Sequence, residues 1–181
     1  MNPRTFSLAD LFAITAETVP ERDALVIGDT RYTYGEMAER VDRLAAWLHQ
    51  QGIGQGDVVG LQMYNSAEYL EAFLAACRVR AVPANINYRY VADELRYIYD
   101  NTGLKALFYS AELEAGVADV LDAAPELKVK VRTGGGQPAI TGAVAFEDTL
   151  SADTSALSTV VCSDDDLSLL YTGGTTGKPK G

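Results

Sequence analysis

Tyr171-Thr-Gly-Gly-Thr-Thr-Gly-Lys-Pro-Lys-Gly181 packs glycines, hydroxyls and lysines into one stretch, directly after a run that reads as a strand. Each of these residue types serves the same chemistry, the holding of phosphate. Gly173, Gly174 and Gly177 let consecutive backbone N–H groups turn toward an anion without a Cβ in the way, and Thr172, Thr175 and Thr176 add hydroxyl donors. Lys178 and Lys180 supply point charges suited to phosphate oxygens. A solvated Gly-Thr turn is the alternative reading of any short glycine-rich loop taken alone. The string also departs from the common nucleotide loops. Gly173 to Gly177 is one residue too short for G-x-x-x-x-G-K, and Pro179 stands where Ser or Thr would bind magnesium and continue a helix. Gly52-Ile-Gly-Gln-Gly56 fails as a dinucleotide fingerprint, because a strand and not a helix follows it.

Few other residues could do chemistry. Cys77 and Cys162 are far apart and have no Cys or His neighbour at metal-ligand spacing, so they read as small buried residues of a reduced cytosolic protein. The single His49, near a predicted helix end, has no sequence partner that would make it a base and reads as surface. No metal ligand is assigned. The formal net charge of -10 argues against a nucleic-acid partner, since phosphate backbones are held by excess Lys and Arg. A polyanionic ligand must then be gripped by a local device, and the loop at Thr172 is the one the sequence offers.

The elements that must position this loop can be read from periodicity. The chain has 181 residues, 48% of them hydrophobic, which suits one soluble globular domain with a real core. Ala24 to Tyr34 reads as a hairpin turning at Gly28-Asp29. Met37, Val41, Leu44 and Leu48 then mark a helix from Gly35 to Gln51 that Gly52 can end. Val58 to Met63 reads as a buried strand, followed by a helix capped by Asn65 with Glu68 and carrying Leu70, Phe73, Leu74 and Cys77. Ala81 to Ile86 is a short apolar run. Asp93 to Asp100 is a helix with Leu95, Ile98 and Tyr99 inward, and Ala106 to Tyr109 another strand.

Ser110 is positioned to cap a further helix carrying Leu113, Val117, Val120 and Leu121, which stops before Pro125. Lys128 to Arg132 resembles a strand near a sheet edge. Gly134 to Thr159 is expected to be loops with one short helix near Phe146, after which a polar turn at Asp164 feeds a last strand. Alternating strands and helices with apolar strands predict an α/β fold, a largely parallel sheet with helices on both faces. The chain divides into an alternating region at 1–133, an irregular connection at 134–163, and a strand with the phosphate loop at 164–181. Apolar stretches such as Leu167 to Tyr171 fall well short of the ~20 residues of a bilayer span, so no transmembrane segment is expected. Met1 to Asp10 lacks the basic start and apolar core of a secretory signal, which places the protein in the cytoplasm.

Leu170 to Gly181 resembles the phosphate-loop motif of the adenylate-forming (AMP-binding) superfamily, which includes acyl-CoA synthetases, aryl-CoA ligases, luciferases and the adenylation domains of peptide synthetases. Gly173 stands where many members have Ser; a hydroxyl is lost and the backbone nest is kept. Tyr32-Thr-Tyr-Gly-Glu-Met37 resembles the family's early L-T-Y-x-E-L segment, and Cys77-Arg-Val-Arg-Ala-Val-Pro83 its K-x-G-A-x-x-V-P, with Arg80 in place of the usual Gly. Asn85 to Tyr90 and Asp93 to Asp100 look more like acyl-CoA synthetases than peptide-synthetase modules.

The resemblance implies part of the large N-terminal domain of an acyl-CoA synthetase. In that family a carboxylate attacks the α-phosphate of ATP, pyrophosphate leaves, and a thiol then displaces AMP. It implies ATP, CoA, Mg2+ and a small carboxylic acid as ligands, and binding of the phosphates by Thr172, Gly173, Gly174, Thr175, Thr176, Gly177, Lys178 and Lys180. No residue here matches the family's Y-G-x-T-E segment, its ribose-binding Asp or its distal lysine. The sequence is therefore expected to be an N-terminal piece without the C-terminal lid, inactive alone, with no catalytic residue of its own. Exposed strand edges would favour aggregation or a homodimer. An aryl-CoA ligase, a peptide-synthetase domain, or a noncatalytic phosphate- or nucleotide-binding module are the alternatives.

Overall fold

The computed structural model describes residues 6–172 and 179–181. Ser7 opens helix α1 (Leu8–Thr18) by accepting from the Asp10 N–H at 3.1 Å. Strands β1 (Asp23–Ile27) and β2 (Thr30–Thr33) pair antiparallel around Gly28, whose φ of +58° supplies the tight turn that the Gly-Asp pair suggests. Thr33 ends β2 and caps α2 (Tyr34–Gln50). Its hydroxyl accepts from the Glu36 N–H, and the Glu36 carboxylate accepts from the Thr33 N–H at 2.8 Å. This reciprocal cap is the physical content of the Tyr32 to Met37 motif.

Met37, Val41, Leu44 and Leu48 are all buried, so the stripe read from their spacing is core. Each large side chain removed from water contributes about 2 kcal/mol. The helix stops at Gly52, φ +77°, where the Ile53 N–H reaches the Leu48 carbonyl and the Gly52 N–H the His49 carbonyl, both at 3.0 Å. Such a paired closure needs a left-handed residue at its centre. His49 is exposed in the last turn.

Strands and helices then alternate: β3 (Val58–Gln62), α3 (Ala67–Arg78), β4 (Val82–Asn85), α4 (Ala92–Thr102), β5 (Ala106–Ser110), α5 (Glu114–Ala118), β6 (Val129–Thr133), β7 (Val144–Ala145) and β8 (Leu169–Leu170). Four local expectations are corrected. The cap of α3 is Ser66 rather than Asn65, its hydroxyl accepting from the Tyr69 N–H at 3.2 Å; two adjacent polar residues leave this register open until geometry chooses. Ser110 makes no side-chain cap. Its hydroxyl accepts from the Tyr64 N–H at 3.1 Å and so ties the end of β5 to the end of β3.

The helix expected after Ser110 is also broken, into a 3-10 turn at Ala111–Leu113, the five residues of α5, and a second turn at Leu121–Ala123. Gly116 weakens its middle by about 1 kcal/mol and Pro125 blocks its extension. Val117 and Val120 are nevertheless buried as expected. The stretch after Gly134 carries more structure than one short helix: β7 joins the sheet, and 3-10 turns form at Phe146–Ser151 and Thr154–Thr159.

The main sheet has six strands in the order β7-β6-β5-β3-β4-β8, and every pairing in it is parallel. Successive residues of β5 feed opposite faces. Ala106 and Phe108 join the cluster formed with α2 and α3, while Leu107 and Tyr109 join the cluster formed with α4 and α5. A parallel sheet covered on both faces results, as the apolar strands require.

Candidate functional site

Because the strands are parallel, the residues that follow them gather along one edge, the usual place for a ligand crevice in such sheets. β8 delivers Tyr171 and Thr172 to that edge. The Tyr171 hydroxyl donates to Asn101 Oδ1 at 2.6 Å, and its ring packs against the cluster that includes α4. Thr172 and Lys180 then form an isolated antiparallel bridge. The Thr172 N–H donates to the Lys180 carbonyl at 2.9 Å and the Lys180 N–H to the Thr172 carbonyl at 3.2 Å. Pro179 is buried, while Thr172 and Lys180 are exposed. Of the predicted phosphate-binding residues these two are thus brought together; Gly173, Gly174, Thr175, Thr176, Gly177 and Lys178 lie outside the described residues.

A second group on the same edge was not assigned from sequence. Tyr64, just past β3, and Tyr88, just past β4, have ring centroids 4.7 Å apart, and Arg89 lies over the Tyr88 ring at 5.4 Å. Both tyrosines keep more than a third of their surface exposed. They sit where β3 and β4 end, and β4 is the strand that pairs with β8. Exposed rings beside a guanidinium suit planar or anionic groups. The signal was present in Asn85 to Tyr90, an aromatic and basic run placed directly after a strand.

Arg80 is the one non-glycine residue with positive φ among the described residues, at +64°. It occupies the position in the stop of α3 that Gly52 takes in α2. The Ala81 N–H reaches the Ala76 carbonyl at 2.9 Å and the Arg80 N–H the Cys77 carbonyl at 3.0 Å. A side chain in this conformation costs about 1–2 kcal/mol. The Arg80 side chain is not left in solvent: its Nε donates to Asp166 Oδ1 at 2.8 Å.

Cys77 and Cys162 are both buried and free, and they meet in one small cluster with Ala9. Burial pushes the Cys77 thiol up to about 12, with the nearby Cys162 and Asp166 adding to the shift. Such thiols are poor nucleophiles and poor metal ligands. Among the described residues, no three or more His, Cys, Asp and Glu side chains come together as a metal cage. No helix among them is long and apolar enough to cross a membrane.

Comparison with known proteins agrees with this fold. The family model described as AMP-binding enzyme matches residues 12–181. The chain is 38% identical over 191 residues to the medium-chain acyl-CoA ligase Mig of Mycobacterium avium, covering 97% of this chain and 35% of that protein. It is 39% identical over 178 residues to a 3-oxocholest-4-en-26-oate--CoA ligase of Rhodococcus rhodochrous, covering 97% of this chain and 32% of the relative. The chain thus spans about a third of the length of these curated relatives. Among solved structures, the anthranilate CoA ligase AuaEII in complex with anthranoyl-AMP superposes with a TM-score of 0.87 at 24% identity, over 98% of this chain and 34% of that one, a likeness of fold. With a family model that runs from the middle of α1 through the phosphate loop, this chain belongs to the AMP-binding enzyme family.

Proposed function

We propose that this sequence forms the phosphate-handling part of an ATP-dependent acyl-CoA ligase, one that joins a fatty acid or related carboxylic acid to CoA through an acyl-adenylate. The observation that carries the reading is the bridged, exposed pair Thr172 and Lys180 at the edge where the parallel strands end, the usual place for a ligand crevice in such sheets. The names of the relatives, ligases of medium-chain and steroid acids, favour an apolar acid over an amino acid. Two free buried thiols suit a reducing cytoplasm. On this reading 1–133 supplies four of the six strands of the main sheet, 134–163 adds β7 and leads on to β8, and 164–181 supplies β8 and the phosphate loop.

In the first step a carboxylate oxygen bonds to the α-phosphorus, and the bond to the departing pyrophosphate breaks with its electron pair on the leaving oxygen. In the second, a thiol sulfur attacks the acyl carbon and loses its proton, and AMP leaves with the acyl–oxygen electrons. Charge grows on the departing phosphates in the first step. Lys180 and the Thr172 hydroxyl, together with Gly173, Gly174, Thr175, Thr176, Gly177 and Lys178, are assigned to hold that charge, where fixed donors act most strongly once water is excluded. Magnesium, when bound, would add positive charge shared through phosphate oxygens, the ligands this ion prefers. Of the described loop residues, Thr172 carries the one threonine hydroxyl, exposed and within 3.4 Å of the Lys180 carbonyl, and it would help hold such a complex.

The test is acid-dependent exchange of pyrophosphate into ATP by the whole gene product. Thr175→Ala and Lys180→Ala should each lower the exchange rate, by about 10²-fold where a charge-stabilising donor is lost. Unchanged exchange in both variants would refute the assignment. The 181 residues alone are expected not to release pyrophosphate, and acid- and ATP-dependent release by them would overturn that part of the reading.

A further inference from the structure

We propose that Arg80 is a positioning residue for the phosphate loop, acting through Asp166 on the strand that delivers the loop. The proposal rests on the ligase reading for its catalytic consequence and on contacts of this chain for its geometry. β8 is weakly held. It pairs with β4 through only Ala84 with Leu169 and Asn85 with Leu170, and Leu167 and Leu170 are 68% and 62% exposed. Two paired residues with so little apolar burial leave the register of an edge strand poorly specified.

Asp166 compensates for this. Its Oδ2 accepts from the Ser163 N–H at 2.9 Å and its N–H donates to the Ser163 carbonyl at 3.1 Å, which closes the turn three residues before β8. Its Oδ1 takes the Arg80 guanidinium at 2.8 Å, in a pair whose side chains are only 22% and 12% exposed. Arg80 in turn is fixed at both backbone ends: its N–H on Cys77 and its carbonyl on the Gly56 N–H, both at 3.0 Å. β4 begins two residues later, at Val82.

The pair therefore clamps the turn before β8 to the start of β4, the strand β8 must align with. Beyond β8 the aligned chain runs straight into Tyr171 and the Thr172–Lys180 bridge. The left-handed backbone of Arg80 strengthens the case. Glycine would close the α3 stop without strain, as it does for α2, so what the arginine adds at this position is its side chain.

The experiment uses the whole gene product with Arg80→Gly, Arg80→Lys, Asp166→Asn and the Arg80→Gly, Asp166→Asn pair. Arg80→Gly suits the backbone and removes the clamp; Arg80→Lys keeps the charge. We expect Arg80→Gly to lower kcat for pyrophosphate exchange about tenfold, as a small misplacement of charge-stabilising groups does, with KM for the acid unchanged and the unfolding midpoint little moved, because relief of the left-handed backbone strain offsets the lost ion pair. Arg80→Lys should recover most of that loss, and the double variant should be no worse than either single one.

Amide hydrogen exchange at Leu169 to Thr172 should quicken in Arg80→Gly, whatever the activity. Unchanged protection at these amides overturns the proposal, as does wild-type kcat in Arg80→Gly. If the unsubstituted protein exchanges no pyrophosphate, the ligase reading falls instead, and amide protection alone decides the clamp.

Discussion

Arg40 grips Glu71 with two nitrogens, Nε to Oε1 at 2.8 Å and Nη2 to Oε2 at 3.2 Å, and the Glu71 side chain has no exposed surface. The pair joins α2 to α3. Arg40 also donates to Glu147 at 3.1 Å and lies over the Tyr32 ring at 5.7 Å, so one guanidinium ties the hairpin, two helices and the turn at Phe146. Burial pushes the Glu71 carboxyl up, and Arg40 draws it back only in part. Arg40→Leu would strand a buried carboxylate and should cost about 3–5 kcal/mol in urea unfolding. Arg40→Leu with Glu71→Leu should recover most of the loss, because an apolar pair needs no desolvated charge. Glu147→Gln, at an exposed partner, should cost under about 1 kcal/mol. A double variant as unstable as Arg40→Leu alone would show that the pair stabilises beyond its mutual neutralisation.

Glu114 collects four donors: the Ala139 N–H at 2.9 Å, the Tyr109 hydroxyl at 3.0 Å, Arg132 Nε at 3.1 Å and the Ile140 N–H at 3.3 Å. Burial alone would raise its pKa. The hydrogen bonds from Ala139, Tyr109 and Ile140 and the charge of Arg132 outweigh burial and hold the carboxyl below its ordinary 4.5. A depressed folded value means that the stabilisation is present above the unfolded carboxyl range and is lost as pH falls through the folded value. Glu114→Gln should therefore cost about 1–3 kcal/mol at neutral pH, and the gap to wild type should close as pH drops below 4.5. A gap independent of pH, in unfolding midpoints measured from neutral to acid, would contradict the ionic account.

How much of this could be read beforehand follows from the range of the interactions. Periodicity reports neighbours along one element, so Met37, Val41, Leu44 and Leu48 were legible as one face, as were Leu95, Ile98 and Tyr99. Tight turns are equally local, and Gly28 and Gly52 carry the conformations their positions imply. Contacts across the sheet are not local. The Ser110 hydroxyl serves Tyr64 instead of its own helix because the order of strands sets β5 beside β3. β7 has two residues, too few for any alternation to mark it. In the loop, residue types announced phosphate chemistry, while the pairing of Thr172 with Lys180 depends on how the chain returns. Arg80 stood out as a departure from the family's glycine, but its partner lies 86 residues away.

Cys77 and Cys162 should behave as core residues and not as reactive thiols. Both are under a tenth exposed, and burial raises both thiols, that of Cys77 to about 12. Near pH 8 this leaves Cys77 on the order of a thousandfold less thiolate than a free cysteine. A soluble aromatic disulfide reagent should label neither at an appreciable rate in the native protein, and both promptly in denaturant. Fast native labelling of Cys77 would mean that the contact between α1 and α3 opens.

Gly60, in β3, stands where a side chain has no free space. A Cβ there would come within 2.9 Å of Ile86 Cδ1, 3.0 Å of Leu104 Cδ2 and 3.1 Å of Leu107 Cδ1. All three neighbours are buried to 1% exposure or less, so each can yield only by pushing on α4 or β5. Gly60→Ala should cost about 1–3 kcal/mol, the usual price of overpacking. Gly116 is the control. Nothing stands within 4 Å of a Cβ there and its φ is not left-handed, so Gly116→Ala should stabilise α5 by about 0.4–1 kcal/mol. If urea unfolding shows the two alanine variants shifted in the same direction, helix and strand propensity rather than the Ile86–Leu104–Leu107 contact governs Gly60.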